Sequence, residues 1–314
     1  MMNTSLESEA RYGRWLQYVN SVVANLAAAA SLPTGPSPDP QGSPTPSVAG
    51  DIAAKIMICS PHPDDEALVG ALPLRLHRES GATVVNCAIT LGSNKAERPR
   101  RLRELQASCS VLGFSLVVPN QPHGLDNVTA HERENQSEAW LQKTRDLAAI
   151  LGRVQPDLVL CPHREDVNRT HVGTHLLALD ALQRYLKNYS QRRVILAETE
   201  YWRDMSSPNL LLGVTAETEA TLVMAVAEHG GEVARNPYHI QHPARSIDNV
   251  RRGSEVVGGL GGHRCNFTFG ELYRVSLLTS DHPLACSPTQ QRLIIGPDER
   301  LTLPSLDQVT AHRR

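Results

Sequence analysis

The sequence predicts an α/β protein: a mostly parallel sheet flanked by helices. Three observations carry the prediction. Five short runs between residues 55 and 202 are apolar almost throughout, as strands buried on both faces are. Helical patterns fill most of the intervals between them, the alternation that builds a parallel sheet. The loops after the first and fourth runs are crowded with histidine and acids, at the edge where open α/β sheets bind ligands.

Taken in order, residues 1–30 read as an amphipathic helix, with Trp15, Leu16, Val19, Val22, Val23 and Leu26 at helical spacing. Residues 31–50 read as an extended linker, because "SLPTGPSPDPQGSPTPSV" carries six prolines and cannot form a core. Residues 51–314 are expected to form one domain. Its strands are "KIMICS" (55–60), "TVVNCAIT" (83–90), "SLVVP" (115–119), "DLVLCP" (157–162) and "VILAETEYW" (194–202). The clearest helix runs from Pro99 to Leu112. Pro99 suits a first turn, Leu102, Leu105, Cys109 and Leu112 share a face, and Gly113 stops it. Further helices are expected near 136–153, 171–187, 217–229 and 246–257, with a late strand pair near "NFTFGELYRVSLLT" (266–279).

Composition excludes some functions. A net charge of −2 argues against nucleic acid or an anionic membrane as the main partner, since both demand a basic field. Aromatic residues, at 4%, are too scarce for base-stacking platforms. No stretch approaches the ~18–20 apolar residues of a membrane span. "VVANLAAAASLP" ends in small residues, but Gln17, Asn20, Ser21 and Asn25 interrupt it, so export is the weaker reading. The six cysteines form no CxxC pair, and Cys59, Cys87 and Cys161 lie in strand-like runs as small buried hydrophobes. A reducing compartment, and so a cytoplasmic location, is expected. "VVGGLGGHRC" (256–265) lacks the context of a nucleotide loop and reads as a flexible turn. "RPRRLR" (98–103) reads as a solvated face.

The first polar loop sets the chemistry. In "CSPHPDDEALVG", His62, Asp64, Asp65 and Glu66 crowd against the end of an apolar strand, which needs a compensating positive charge. A divalent cation is the simplest one. Histidine with carboxylates suits zinc, and other first-row metals remain open. A helix cap would explain one of the acids but neither the histidine nor the second acid. The second loop, "PHREDVNRTHVGTH", offers His163, His171 and His175 as further donors.

"SPHPDDEALVGAL" resembles the signature of the LmbE-like, or PIG-L, deacetylase family, with "TLGS" (90–93), Arg101, Glu104 and "VLG" (111–113) also fitting. The likeness covers about residues 53–185 well and the C-terminal third loosely. It implies a Rossmann-like sheet and a zinc hydrolase that removes acetyl groups from N-acetylglucosaminyl and related amides. It further implies His62, Asp65 and His171 as zinc ligands, with Asp64 as the general base toward water and back to the departing amine. Arg101 and Asp166 are implied as substrate-binding residues. For Arg101, a surface ion pair with Glu104 is the bland alternative. Glu66 is expected to buttress the loop, and His175 to pack.

The second motif departs from the family pattern. "DVNRTH" (166–171) keeps Asp166 and His171, but Asn168 stands where the family has histidine and Thr170 where it has aspartate. An asparagine can donate to an oxyanion but cannot supply a proton. The leading replacement imidazole is His239 in the polar, loop-like "NPYHIQHPAR", with His242 and His163 behind it. The chain resembles a subgroup with N-x-T-H in this motif and PYH downstream, which implies an active site with a rearranged acid. The expected partner is therefore an N-acylated amino sugar or a glycoconjugate carrying one, with no nucleic acid and no membrane span. Two alternatives stay open: a non-catalytic zinc- or sugar-binding protein, and a magnesium phosphohydrolase, against which His62 and His171 argue. A homo-oligomer is also left open.

Overall fold

A computed structural model describes residues 2–36, 53–259, 265–282 and 291–310. Most of the proline-rich linker, the centre of the glycine-rich turn (260–264) and Cys286 lie outside the described residues. The chain divides into two units, at Thr34 and Gly35. The first unit is one long helix, α1 (Met2–Ala29), with its tail. Leu16, Val19, Val22, Val23 and Leu26 are exposed on it.

The second unit alternates as the sequence predicts. Its strands are β1 (Lys55–Ser60), β2 (Thr83–Ala88), β3 (Ser115–Val117), β4 (Leu158–Pro162), β5 (Val194–Thr199), β6 (Leu210–Val214), β7 (Phe269–Leu278) and β8 (Leu293–Ile295). Its helices are α2 (Asp65–Leu68), α3 (Ala71–Ser80), α4 (Arg98–Leu112), α5 (Ala130–Glu134), α6 (Glu138–Val154), α7 (Arg169–Asn188), α8 (Ala216–Ala227), α9 (Gly230–Val233), α10 (Tyr238–Val256) and α11 (Asp307–Thr310).

One eight-stranded sheet runs in the order β3-β2-β1-β4-β5-β7-β6-β8. The first five strands are mutually parallel, and β7 runs antiparallel between β5 and β6. Within β1, alternate residues face opposite layers, which is why its run is apolar throughout. Ile56 and Ile58 join the core that includes Leu72, Leu105 and Leu222 from α3, α4 and α8. Met57 and Cys59 join the core that includes Leu147 and Leu182 from α6 and α7. The helix α4 ends as expected, at Gly113 with φ 73°, a left-handed conformation that glycine adopts without cost.

Two expectations in the C-terminal third are corrected. The segment 266–279 holds one long strand, β7, rather than a pair; its neighbours are β5 and β6. "NPYHIQHPAR" is not a loop, because α10 begins at Tyr238 and runs through Pro243. A proline there removes one backbone bond, a cost that the buried Ser246, Asn249 and Val250 further along the helix offset by packing on the sheet. The order 3-2-1-4-5 places a switch point between β1 and β4, where the chain leaves toward opposite faces. Ligands bind in such crevices. The loops after β1 and β4 are the two polar ones.

Candidate metal centre and its cavity

After β1 the chain turns through Pro61, His62 and Pro63 and enters α2 at Asp65. Asp64, at the turn, has φ 109° and ψ −29°. Left-handed backbone is costly for a residue with a side chain, though aspartate tolerates it better than most. Such strain persists where the surroundings impose it. Here the surroundings are the side chain of Glu66. Its Oε2 accepts from the Asp64 backbone N–H at 3.0 Å, while Oε1 accepts from Ser108 Oγ at 2.5 Å and lies 2.8 Å from His229 Nε2. All three side chains are buried. Glu66 thus buttresses the loop as expected, through Ser108 and His229.

After β4, Asn168 caps α7. Its Oδ1 accepts from the Thr170 N–H at 2.8 Å and the His171 N–H at 3.4 Å. That cap sets His171 in the first turn, facing the β1 loop. His171 Nε2 lies 3.2 Å from His62 Nδ1 and 3.4 Å from Asp65 Oδ2, and His62 Nδ1 lies 3.3 Å from Asp65 Oδ2. Three donor atoms from two loops therefore converge on one point. Behind His171, Asp166 Oδ2 stands 3.4 Å from Nδ1 and accepts from the Trp202 N–H at 3.2 Å, while Oδ1 accepts from the Asn168 N–H. Tyr201 packs edge-on against the His171 ring at 4.6 Å between centroids.

The trio opens onto a cavity of about 610 Å³. Asp64, Arg101, Asn168 and Thr170 line it together with His62, Asp65 and His171. Arg101 Nη2 donates to the Pro63 carbonyl at 3.1 Å, and it lies 3.7 Å from Glu232. Its expected surface partner, Glu104, pairs instead with Arg100. The remaining walls include Lys95, Asp126 and Asn127 on one side and Trp202, Glu232, Arg235 and Tyr238 on another.

Burial, and then the charge of Asp65, hold the Asp64 carboxyl well above its usual value, with Arg101 opposing. Asp65 is also pushed up by burial, but the His171 and His62 rings outweigh this and hold it below the usual carboxylate range. Two neighbouring acids are thereby separated into one that binds a proton readily and one that stays ionised.

The structure places two of the expected site residues off the cavity wall. Asp166 is not on the cavity wall; it is buried behind His171 and holds that ring from its far nitrogen. His239 does not line the cavity either, because on α10 its neighbour Tyr238 takes the wall while the His239 ring is buried. His242 pairs with Glu219 at 2.6 Å, and His163 Nε2 meets the Arg203 carbonyl at 2.8 Å, both away from the trio. His175 packs as expected, with Nδ1 2.9 Å from the Pro162 carbonyl. Trp202, Glu232, Tyr238, Ser108 and His229 join the site or its support without a motif of their own in the sequence. Trp202 had a signal, since it ends the fifth apolar run at the ligand-binding edge of the sheet.

An α/β sheet carrying a His-Asp-His centre at its switch point defines the class, and comparison with known proteins narrows it. Residues 57–182 match the model of the PIG-L family, described as GlcNAc-PI de-N-acetylase. No curated protein matches the chain. Among solved structures it is similar to the N,N'-diacetylchitobiose deacetylase of Pyrococcus horikoshii, at 17% identity and a TM-score of 0.51, covering 71% of this chain and 84% of that one. A zinc-inhibited form of a teicoplanin deacetylase is similar at 15% identity and a TM-score of 0.51, covering 73% and 99%. The 4-carboxy-2-hydroxymuconate hydratase of Pseudomonas putida KT2440 is similar at 17% and 0.51, covering 71% and 96%. At such identities the likeness establishes the fold. One fold that carries both deacetylases and a hydratase leaves the reaction to be argued from the site.

Proposed function

We propose that the chain is a zinc-dependent hydrolase that removes an acetyl or similar acyl group from an N-acetylglucosaminyl-type amide. The observation that carries this reading is the spacing of the three donor atoms beside Asp64. A tetrahedron whose corners lie ~2.0–2.1 Å from its centre has edges of about 3.3–3.4 Å, the geometry of nitrogen and oxygen ligands around zinc. The His62, Asp65 and His171 atoms stand 3.2–3.4 Å apart. Two imidazoles and one carboxylate suit zinc better than magnesium. Three ligands leave one position free, as a catalytic centre requires.

When bound, zinc supplies Lewis acidity, lowering the pKa of water toward ~7 and drawing charge from the amide carbonyl. The residues of the chain do the rest. Asp64 accepts the proton of the attacking water and returns it to the departing amine, a role that its raised proton affinity favours. Asn168 spends Oδ1 on the α7 cap, which leaves its amide N–H as a donor to the oxyanion. Asp166 fixes the tautomer of His171. Arg101, Asp126 and Asn127 offer polar atoms to sugar hydroxyls, and Trp202 offers an aromatic face. Free, buried Cys59, Cys87, Cys109 and Cys161 support a reducing, cytoplasmic setting. Among the described residues no helix is long and apolar enough to cross a membrane.

A second reading, hydration of an unsaturated carboxylate, draws on the hydratase neighbour and on Lys95, Arg101 and Arg235 in the cavity wall. The test is primary-amine release from a panel of N-acetylglucosaminyl compounds by the zinc-loaded protein, with Asp64→Ala beside it. Release by the wild type alone supports the deacetylase. Zinc bound with no release from any member turns the reading toward the hydratase or a binding protein.

A further inference from the structure

We propose that His229 is a positioning residue for Asp64, acting through Glu66; this rests on the hydrolase reading above. His229 precedes α9 in the C-terminal third, outside the residues that match the family. Its ring is 1% exposed, and Nε2 lies 2.8 Å from Glu66 Oε1. Glu66 has no solvent exposure. A buried carboxylate is tolerable only with its oxygens satisfied, and here three donors do so: Ser108 Oγ, His229 Nε2 and the Asp64 N–H.

The Asp64 bond is the consequential one. A residue at φ 109° relaxes toward ordinary backbone unless its neighbours hold it. The Glu66 carboxylate holds the Asp64 amide, and its own orientation is fixed from behind by Ser108 on α4 and His229. A second tie, from Glu104 Oε1 to the Gly231 N–H at 3.0 Å, anchors the same short helix and so fixes where His229 stands. Glu232, Arg235 and Tyr238, which follow directly, form a wall of the cavity. The segment that shapes one wall of the cavity thus also sets the general base.

The experiment compares His229→Leu, which removes the donor, with His229→Gln, whose amide places a nitrogen donor where Nε2 lies. Ser108→Ala is a third, milder variant in case the leucine protein fails to fold. Amide hydrogen exchange at Asp64 is followed by NMR in the full-length, zinc-loaded protein, and kcat and KM are measured on any panel compound that the wild type hydrolyses. Exchange at Asp64 should be at least tenfold faster in the leucine variant and within threefold of wild type in the glutamine variant. Turnover should follow, with kcat down at least tenfold and KM changed less than threefold. A folded leucine variant with unchanged exchange, or two variants with equal exchange, overturns the proposal. So does a loss confined to KM. If the wild type hydrolyses nothing, the hydrolase reading fails separately, and the exchange data still decide whether His229 holds Asp64.

Discussion

His171 Nε2 stands 3.2 Å from His62 Nδ1, although 109 residues separate the two. Two imidazole nitrogens that close either share one proton as an N–H···N bond or turn both lone pairs to a shared cation, and Asp65 beside them favours the cation. His171→Ala or His62→Ala should therefore abolish stoichiometric zinc uptake in equilibrium dialysis. His175→Ala should retain it, because that ring bonds to the Pro162 carbonyl four residues further along the helix. Full zinc retention by His171→Ala would remove the centre from the site assigned to it.

Asp166 distinguishes an orienting role from substrate contact. Its carboxylate faces the far nitrogen of His171 and not the cavity. Removal of such an outer partner lowers metal affinity by about 10–100-fold. Asp166→Asn should show a loss of that order in a competition titration against a zinc chelator, with KM nearly unchanged once zinc is saturating. A KM defect with normal zinc affinity would instead return Asp166 to the substrate.

Tyr238 and His239 are neighbours with opposite prospects. Tyr238 lines the cavity, and burial together with the charges of Asp64 and Glu232 pushes its hydroxyl up to about 12, so it remains a proton-bearing donor at neutral pH. His239 is buried off the wall, and burial holds its ring below the usual histidine value. Tyr238→Phe should lower kcat by up to about 100–1,000-fold, the range for loss of one donor at a developing charge. His239→Ala should change kcat less than about threefold. The reverse order in steady-state kinetics would restore the imidazole as the acid.

What the sequence could and could not reveal follows from contact distance along the chain. His62, Asp64 and Asp65 fall within one turn, so their crowding is visible as text. The strands of β1, β2, β4 and β5 are equally plain, since burial on both faces makes their runs continuously apolar. Glu66 was placed in its role, but its partners were invisible: Ser108 is 42 and His229 is 163 residues away. Around α4 two places for Arg101 are open from sequence, substrate contact or an ion pair with Glu104, and in the structure Arg100 takes Glu104 while Arg101 lines the cavity. Successive helix residues point ~100° apart, so Arg100 and Arg101 face different surroundings. Pro243 sits in the segment that reads as loop-like but is helical. Its local preference is to break a helix, and the packing of α10 on the sheet overrides it.

Glu271 carries the last expectation, on the pH dependence of stability. It lies on β7, buried, accepting from the Ala71 N–H and from the Tyr273 hydroxyl. Burial raises its carboxyl from 4.5 to about 7, against the pull of His242, the Tyr273 bond and Arg245. The folded state therefore binds this proton more tightly than the unfolded chain does. The stability it contributes is complete below about pH 4.5 and is lost as pH rises through about 7. A shift of that size corresponds to roughly 3 kcal/mol between the two ends. Glu271→Gln keeps the shape and has no proton to lose. Its urea unfolding free energy, relative to wild type, should rise by up to roughly 3 kcal/mol between pH 5 and pH 8. Parallel curves for the two proteins across that window would mean that the carboxyl titrates near its ordinary value despite its burial.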